Sequence, residues 1–274
     1  MYEPIARFLF YRMDTVEPAF GAFHIISILL ILAACVFAGF GGSRLSDKNL
    51  RKLLLGIWVV LILGEVYREL AFATVFTDYG YEMIYQWYQF PFQLCSSPLY
   101  ALPFVIFLPD GKLRDGFMAF LTTFCFFGGA VVTFYPNTVL TRIVGSNIQS
   151  MLHHGIQAIV GILLVSFCRK KLGFRFYVKG AYVFAGFLST AMVMNIIAYH
   201  IIQANGTNDV FNMFYISPYF GCEIPILSSI QQAGAPYPVV LLLYVLTFVL
   251  IAAIIALAEY FISMVVQKKN KATA

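Results

Sequence analysis

Long apolar runs constrain this chain more than any other feature. We count seven, each of about 20 residues, which is the length that a helix needs to cross the roughly 30 Å hydrocarbon layer of a bilayer. Only 11% of the residues are charged, too few to cover the surface of a soluble domain, where about 25% is usual. The sequence therefore excludes a soluble globular protein, and its 61% hydrophobic content also excludes a disordered chain.

The runs predict an all-α fold, a polytopic membrane protein in which residues 1–274 form one domain, a seven-transmembrane-helix bundle. Prolines interrupt the third run, so we expect that helix to be kinked. The apolar stretch 204–236 is predicted to be an outer loop that folds against the bundle as a lid. The predicted helices cover residues 19–40, 53–76, 87–108, 117–135, 148–168, 178–203 and 237–266.

The positions of Lys and Arg predict the orientation of the bundle. If the amino terminus lies outside, 14 basic residues fall on the inner side and three on the outer side. Inner loops carry such an excess in most membrane proteins. We therefore expect the amino terminus outside and the carboxyl terminus inside. The net charge of +5 then reflects topology and gives no evidence for a nucleic-acid partner.

Polar residues inside the predicted helices indicate a functional site, because ionisable groups are costly within a bilayer. With the predicted topology, all of them fall in the outer half of the membrane. Such a layer predicts one shared cavity that opens to the outer leaflet or the outer water. Its candidate residues are His24, Glu65, Arg68, Glu69, Cys95, His153, His154, Asn195 and His200.

Several of these residues also have a purely structural interpretation. Glu65, Arg68 and Glu69 share one helix face, so that the charges neutralise one another locally. An amide such as Asn195 commonly bonds a neighbouring membrane helix. His200 lies where a predicted helix meets the outer water, and simple solvation explains it equally well.

Cys95 differs from the other cysteines in its setting. It lies between Pro91, which suits the first turn of a helix, and Pro98, which frees backbone groups. A cysteine near a helix start and a histidine from another helix can form the thiolate–imidazolium pair needed for acyl transfer through a thioester. His153 and His154 point about 100° apart on their helix, so at most one is expected to face the cavity.

Three motifs resemble a known family. The run Phe90 to Ser96 (Phe-Pro-Phe-Gln-Leu-Cys-Ser) is similar to the Leu-Pro-Leu-His-Leu-Cys signature of the YwaF-like integral membrane proteins of bacteria. His24 and the pair His154-Gly155 fit the same family, and Asn212 to Pro218 is similar to its outer segment. One position departs from the signature, since Gln93 stands where the family has histidine.

That family is related to animal cysteine-dependent phospholipid acyltransferases, so the resemblance implies Cys95 as nucleophile and His154 as its base. It implies a phospholipid or lysophospholipid partner, no cofactor and a bacterial cytoplasmic membrane. We expect Glu65 and His24 to orient the imidazole. Further candidate roles are lipid-phosphate binding for Arg68 and oxyanion stabilisation for Asn195.

Other classes of function remain open on the sequence alone. A transporter or sensor with an outward-facing polar cavity has the same pattern. An intramembrane lipid ester hydrolase, with zinc held by His, Glu65 and Cys95, is another alternative, although the usual ligand spacings are missing. A partner subunit without chemistry is a third. The oligomeric state is not encoded in any pattern that we recognise.

Overall fold

A computed structural model describes residues 3–137 and 139–272 of the chain. Most of these residues are helical, and two short strands form the only sheet within this described part. The elements are α1 (Glu3–Leu9), α2 (Ala22–Gly42), α3 (Asp47–Ala73), β1 (Thr74–Thr77), β2 (Gly80–Met83), α4 (Pro98–Phe107), α5 (Lys112–Phe120), α6 (Phe126–Phe134), α7 (Val144–Cys168), α8 (Phe174–Ala204), α9 (Pro225–Gln232) and α10 (Tyr237–Ala272).

Five helices of the described part are long and apolar enough to cross a membrane: α2, α5 continued by α6, α7, α8 and α10. Two of them form the centre, since 67% of the most apolar stretch of α7 and 61% of that of α5–α6 are buried. The corresponding fractions are 11% for α2 and 17% for α8 and α10, which therefore present apolar sides outward, as lipid contact requires. The chain is a polytopic helical membrane protein, as predicted.

The third predicted helix, 87–108, is not a continuous kinked helix. Residues Trp87–Gln89 and Leu94–Ser96 form two separate 3-10 turns, and only Pro98–Phe107 is α-helical. The prolines explain the difference. Pro91 cannot donate a ladder hydrogen bond, while Pro98 occupies the first turn of α4, where its missing N–H costs nothing.

This broken segment runs antiparallel to α3. Arg68 near the end of α3 donates to the carbonyl of Gln89, and Arg51 near its start donates to the carbonyl of Leu108. Between them, Trp58 donates to the carbonyl of Leu99. The 17 residues from Arg51 to Arg68 correspond to about 26 Å of helix, which is close to the thickness of the hydrocarbon layer.

Two further stretches differ from the prediction in their type of secondary structure. The second predicted helix ends at Ala73 instead of residue 76, because Thr74–Thr77 pairs with Gly80–Met83 in an antiparallel hairpin. The hairpin turns at Gly80, whose φ of 141° favours glycine. The stretch 204–236 is also not entirely loop, since Pro225–Gln232 is helical.

Close packing between α6 and α7 depends on Gly129. A Cβ atom at this position would lie 2.5 Å from Cβ of Gln157 and 2.7 Å from the carbonyl oxygen of His154. Small residues permit such close approach between membrane helices. Gly129 therefore sets how near α6 lies to the polar face of α7.

Candidate functional site

The carbonyl group of Cys95 is the point at which the candidate residues meet. His153 Nε2 lies 2.9 Å from this oxygen, and Gln157 Nε2 also donates to it. Both side chains project from α7 and are buried. The structure thus brings one predicted histidine to the predicted cysteine, and adds Gln157, which the sequence analysis missed although it lies one turn after His153.

Both histidines are buried, but only His153 bonds the main chain of Cys95. His154 Nδ1 lies 2.7 Å from the carbonyl of Ser150, which can only accept, so this nitrogen carries the proton. By the same argument His153 is protonated on Nε2. The remaining nitrogens, His153 Nδ1 and His154 Nε2, are buried and have no hydrogen-bond partner among the described residues.

Cys95 itself is partly buried, and no hydrogen bond joins its thiol to either imidazole within the described residues. His153 and Gln157 are four residues apart and lie on one face of α7, which is directed at the turn Leu94–Ser96. His154, the predicted base, is next to His153, with ring centroids 5.6 Å apart. The predicted nucleophile and the predicted base are therefore connected through His153.

Arg68 is fully engaged by its neighbours. Its Nε donates to Glu65 at 2.9 Å, and its terminal nitrogens donate to Glu65, to Glu69 at 2.6 Å and to the side chain and carbonyl of Gln89. The guanidinium also lies within electrostatic range of the Cys95 thiol. These bonds connect α3 to the segment before Cys95. Arg68 therefore has a structural role here, whereas the expected role was to bind a lipid phosphate.

Gln93 and Asn195 hold the outer loop through matched pairs of hydrogen bonds. Gln93 donates to the carbonyl of Asn212 at 2.9 Å and accepts from the N–H of Phe214 at 2.6 Å. Asn195 donates to the carbonyl of Met213 at 3.0 Å and accepts from its N–H at 2.7 Å. Asn195 is thus occupied by the loop, and is not aimed at an oxyanion.

Two other candidates lie in structural settings. The N–H of Phe20 donates to His24 Nδ1 at 2.9 Å, and His24 Nε2 donates to the carbonyl of Thr133 at 2.8 Å. Both ring nitrogens of this buried residue therefore bind backbone and link α2 to α6. His200 is exposed near the end of α8, 3.5 Å from the hydroxyl of Tyr219.

A π-helical turn, Leu121–Cys125, joins α5 to α6 and packs against the turn that carries Cys95. Cys125 Sγ lies 3.1 Å from the hydroxyl of Ser97. Wider helical turns of this kind are frequent at functional sites. No sequence signal predicted it, because Leu-Thr-Thr-Phe-Cys is compatible with an ordinary helix.

A small cleft between α3 and α7 reaches His153 from the side of the bundle. Its empty space amounts to about 160 Å³, part of it open to the surface, and it is lined by Val60, Leu61, Gly64, Gln149, Leu152, His153 and Ile156. Most of its lining is apolar. An acyl chain has the chemistry to occupy such a cleft, and a charged solute does not.

A zinc hydrolase requires three converging ligands. Within residues 3–137 and 139–272, no group of three or more His, Cys, Asp or Glu side chains is arranged to hold a metal ion. Cys95 and Glu65 are both near the polar face of α7, but His24 binds backbone on α6 instead.

No curated protein and no solved structure matches the chain. The model of the TMEM164 family matches residues 19–258, which include all five long apolar helices in whole or large part and every candidate residue. The match supports this membrane family and not the YwaF-like name that the resemblance indicated. The chain belongs to the TMEM164 family.

Proposed function

We propose that this protein is an integral-membrane lipid acyltransferase that carries the acyl chain as a thioester on Cys95. The observation that carries the proposal is the buried contact of His153 with the main chain of Cys95, beside His154, because each of the two histidines keeps one unpartnered ring nitrogen. Buried polar atoms without partners are rare and need an explanation, and a proton-accepting role supplies one. The similarity of Phe90 to Ser96 to the YwaF-like signature supports the same chemistry.

His154 is the proposed base. Its Nδ1–H is fixed by the carbonyl of Ser150, so Nε2 presents a lone pair, as in other nucleophile–base pairs where a third group orients the imidazole. His153 and Gln157 are positioning residues, because they hold the main chain of Cys95. The thiol and the imidazole come within hydrogen-bond distance when substrate binds, since catalytic hydrogen bonds often form only in the substrate complex.

The reaction has two halves. His154 Nε2 takes the thiol proton while the sulfur of Cys95 attacks the ester carbonyl carbon. The C–S bond forms, the ester C–O bond breaks, and the departing lysolipid oxygen receives that proton. In the second half, a lysophospholipid hydroxyl attacks the thioester carbonyl carbon while His154 takes its proton. The ester C–O bond forms, the C–S bond breaks, and the sulfur of Cys95 receives that proton, which restores the thiol.

We also propose seven crossings, with the amino terminus outside and the carboxyl terminus inside. The two crossings in addition to the five long apolar helices would be the second and third along the chain, α3 and the broken segment 87–107 that runs along it. The distribution of Lys and Arg supports this orientation. Lipid would enter through the cleft between α3 and α7, whose apolar lining leads to His153. The bacterial location stays a prediction.

The test is to trap the acyl-enzyme. Purified protein in detergent micelles would be incubated with a phospholipid labelled in its acyl chain and with an unlabelled lysophospholipid. We expect label on the protein that hydroxylamine releases, together with a labelled diacyl product. Cys95→Ala should lower both by about 10³-fold or more, the scale seen when a nucleophile is removed.

Cys35→Ala is the matched control, because Cys35 is a partly buried cysteine on α2 outside this group. It should transfer acyl chains at the wild-type rate. Wild-type transfer by Cys95→Ala would contradict the proposal. Labelled free fatty acid in place of the diacyl product would identify water as the acceptor and the protein as an ester hydrolase.

A further inference from the structure

A second cavity lies between the outer loop and α10. Its empty space amounts to about 240 Å³, part of it open to the surface. The lining residues are Tyr215, Ile216, Ser217, Phe220, Cys222, Gln231, Tyr237, Val240, Leu241 and Tyr244.

Two tyrosine hydroxyls in this cavity have no hydrogen-bond partner among the described residues. Tyr237 donates to the carbonyl of Ile216 at 2.8 Å, but Tyr215 and Tyr244 make no such bond there. Neither hydroxyl oxygen is among the fully buried atoms, although Tyr244 as a whole is only 2% exposed. Both hydroxyls are therefore open to the cavity and free to donate to a ligand there.

The backbone that carries Tyr215 is strained. Phe214 and Tyr215 both have a positive φ, of 58° and 57°, a left-handed conformation that is unfavourable for a residue with a side chain. The hydrogen bonds of Gln93 and Asn195 to residues 212–214 hold it in place. Strain that the surroundings maintain in this way is characteristic of functional sites.

The same bonds connect this cavity to Cys95. Gln93 lies two residues before Cys95 and binds the N–H of Phe214, directly before Tyr215. The rings of Phe92 and Phe214 also pack, with centroids 5.9 Å apart. The hydroxyls of Tyr215 and Tyr244 both lie within electrostatic range of the Cys95 thiol.

We propose that Tyr215 and Tyr244 form an ester-binding site beside Cys95, in which their hydroxyls donate hydrogen bonds to the carbonyl oxygen of the lipid ester as the thiol attacks. This inference rests on the proposed acyl transfer. The carbonyl oxygen gains negative charge when the C–S bond forms, and both phenols stabilise it without giving up their protons. Burial raises the pKa of Tyr215 above its usual value, so its hydroxyl stays a donor.

Tyr215→Phe and Tyr244→Phe test the proposal, because each removes one oxygen and keeps the ring. We expect the rate of acyl-enzyme formation from labelled phospholipid to fall about 10²–10³-fold in each, as when an oxyanion donor is removed, with KM little changed. Tyr182→Phe is the matched control. This tyrosine is 76% exposed on α8 and does not line the cavity, so the rate of its variant should stay near that of the wild type.

Alkylation of Cys95 by iodoacetamide separates this role from a structural one. Alkylation forms no oxyanion, so both variants should be alkylated at the wild-type rate. Equal losses of alkylation and acyl transfer would overturn the proposal, because they indicate a disturbed site. Wild-type acylation rates in both tyrosine variants would also overturn the ester-binding site. If Cys95→Ala were still inactive in that case, the acyltransferase proposal would stand. Activity in Cys95→Ala would instead overturn the acyltransferase itself.

Discussion

Two arginine-centred groups hold the same segment, 87–108, at its two ends, and they differ in how completely they are bonded. The Cys95 cluster is formed by Glu65, Arg68, Glu69, Gln89, Cys95, His153, His154 and Gln157. The Arg114 cluster is formed by Asp47, Arg51, Asp110 and Arg114.

In the Arg114 cluster every polar side chain has a partner. Arg114 is only 1% exposed and donates to Asp47, to Asp110 and to the carbonyl of Val105 at 2.8 Å. Arg51 similarly donates a hydrogen bond to the carbonyl of Leu108 at 2.8 Å. The last carbonyls of α4 have no partner in their own helix, so these arginines act as a cap.

In the Cys95 cluster, by contrast, several buried side-chain atoms have no hydrogen-bond partner among the described residues. Among the described residues, the buried side-chain atoms without a hydrogen bond all belong to it, on Glu69, His153, His154 and Gln157. A group with a purely structural role tends toward full bonding, since each unpaired buried atom costs about 1–3 kcal/mol. The difference indicates that the Arg114 cluster has a structural role and that the Cys95 cluster has a chemical one.

The largest expected effect is on activity. His154→Gln should lower the rate of acyl-enzyme formation by about 10²–10⁴-fold, the usual contribution of a general base, with little change in thermal stability. His153→Gln should cost only about tenfold, because glutamine can still donate to the carbonyl of Cys95. The reverse order of the two losses would assign the base to His153.

The next effect is on stability. Arg114→Ala should lower the free energy of unfolding by about 2–3 kcal/mol, less than the roughly 3–5 of a fully buried pair, because Asp47 and Asp110 can still reach water. Thermal unfolding in detergent measures it. Lys112→Ala on the same helix is exposed and is the control. A large drop in activity per folded molecule would contradict the structural assignment.

A smaller effect concerns the outer loop. Asn195→Leu removes two hydrogen bonds to Met213, which should destabilise the loop by about 1–3 kcal/mol and speed limited proteolysis within residues 204–236. Because the bonds are between neutral groups, the effect should not depend on salt. Unchanged cleavage would show that the amide does not hold the loop.

The smallest effect is a pH dependence confined to the Arg114 cluster. Asp47 lies in the first turn of α3, before the predicted span 53–76. Partial burial raises its pKa, but hydrogen bonds from Arg51 and Arg114 outweigh this and hold the pKa below the usual value. The stabilisation is therefore present above about pH 4 and lost as pH falls through the lowered pKa.

Melting temperatures between about pH 6 and pH 3 would measure this effect, with Asp47→Asn as the comparison. The variant should lose less stability on acidification than the wild type. The difference should be small, because the Asp47 side chain is 39% exposed and water screens its ion pairs. Identical curves would show that Asp47 contributes nothing to the pH dependence.

Much of the fold follows from hydropathy, because lipid requires long apolar helices and these dominate the sequence. The segment 87–97 could not be predicted in detail. Its path depends on donors from other elements, such as Arg68 for the carbonyl of Gln89. The hairpin at Thr74–Met83 is similarly short and local, with too few residues for a periodic signal.

The site was predictable to the level of residue types. Cys95 and the histidine pair stood out because polar residues are rare in apolar helices. The partners were not predictable, since His24 has the same signal yet binds only backbone. Gln157 could have been found from its spacing to His153 and His154, whereas Tyr215 lies in a loop whose conformation no periodicity describes.

The shortness of α4 has a consequence for how the protein is made. Ten residues of helix span only about 15 Å, half of the hydrocarbon layer, so the segment before it enters lipid with unpaired backbone groups. Helix α3, synthesised earlier, can satisfy the carbonyls of Gln89, Leu99 and Leu108 at once. The carbonyl of Cys95 must wait for α7, about 50 residues later in synthesis. A nascent chain can therefore insert this segment into the membrane before the histidines of α7 reach Cys95.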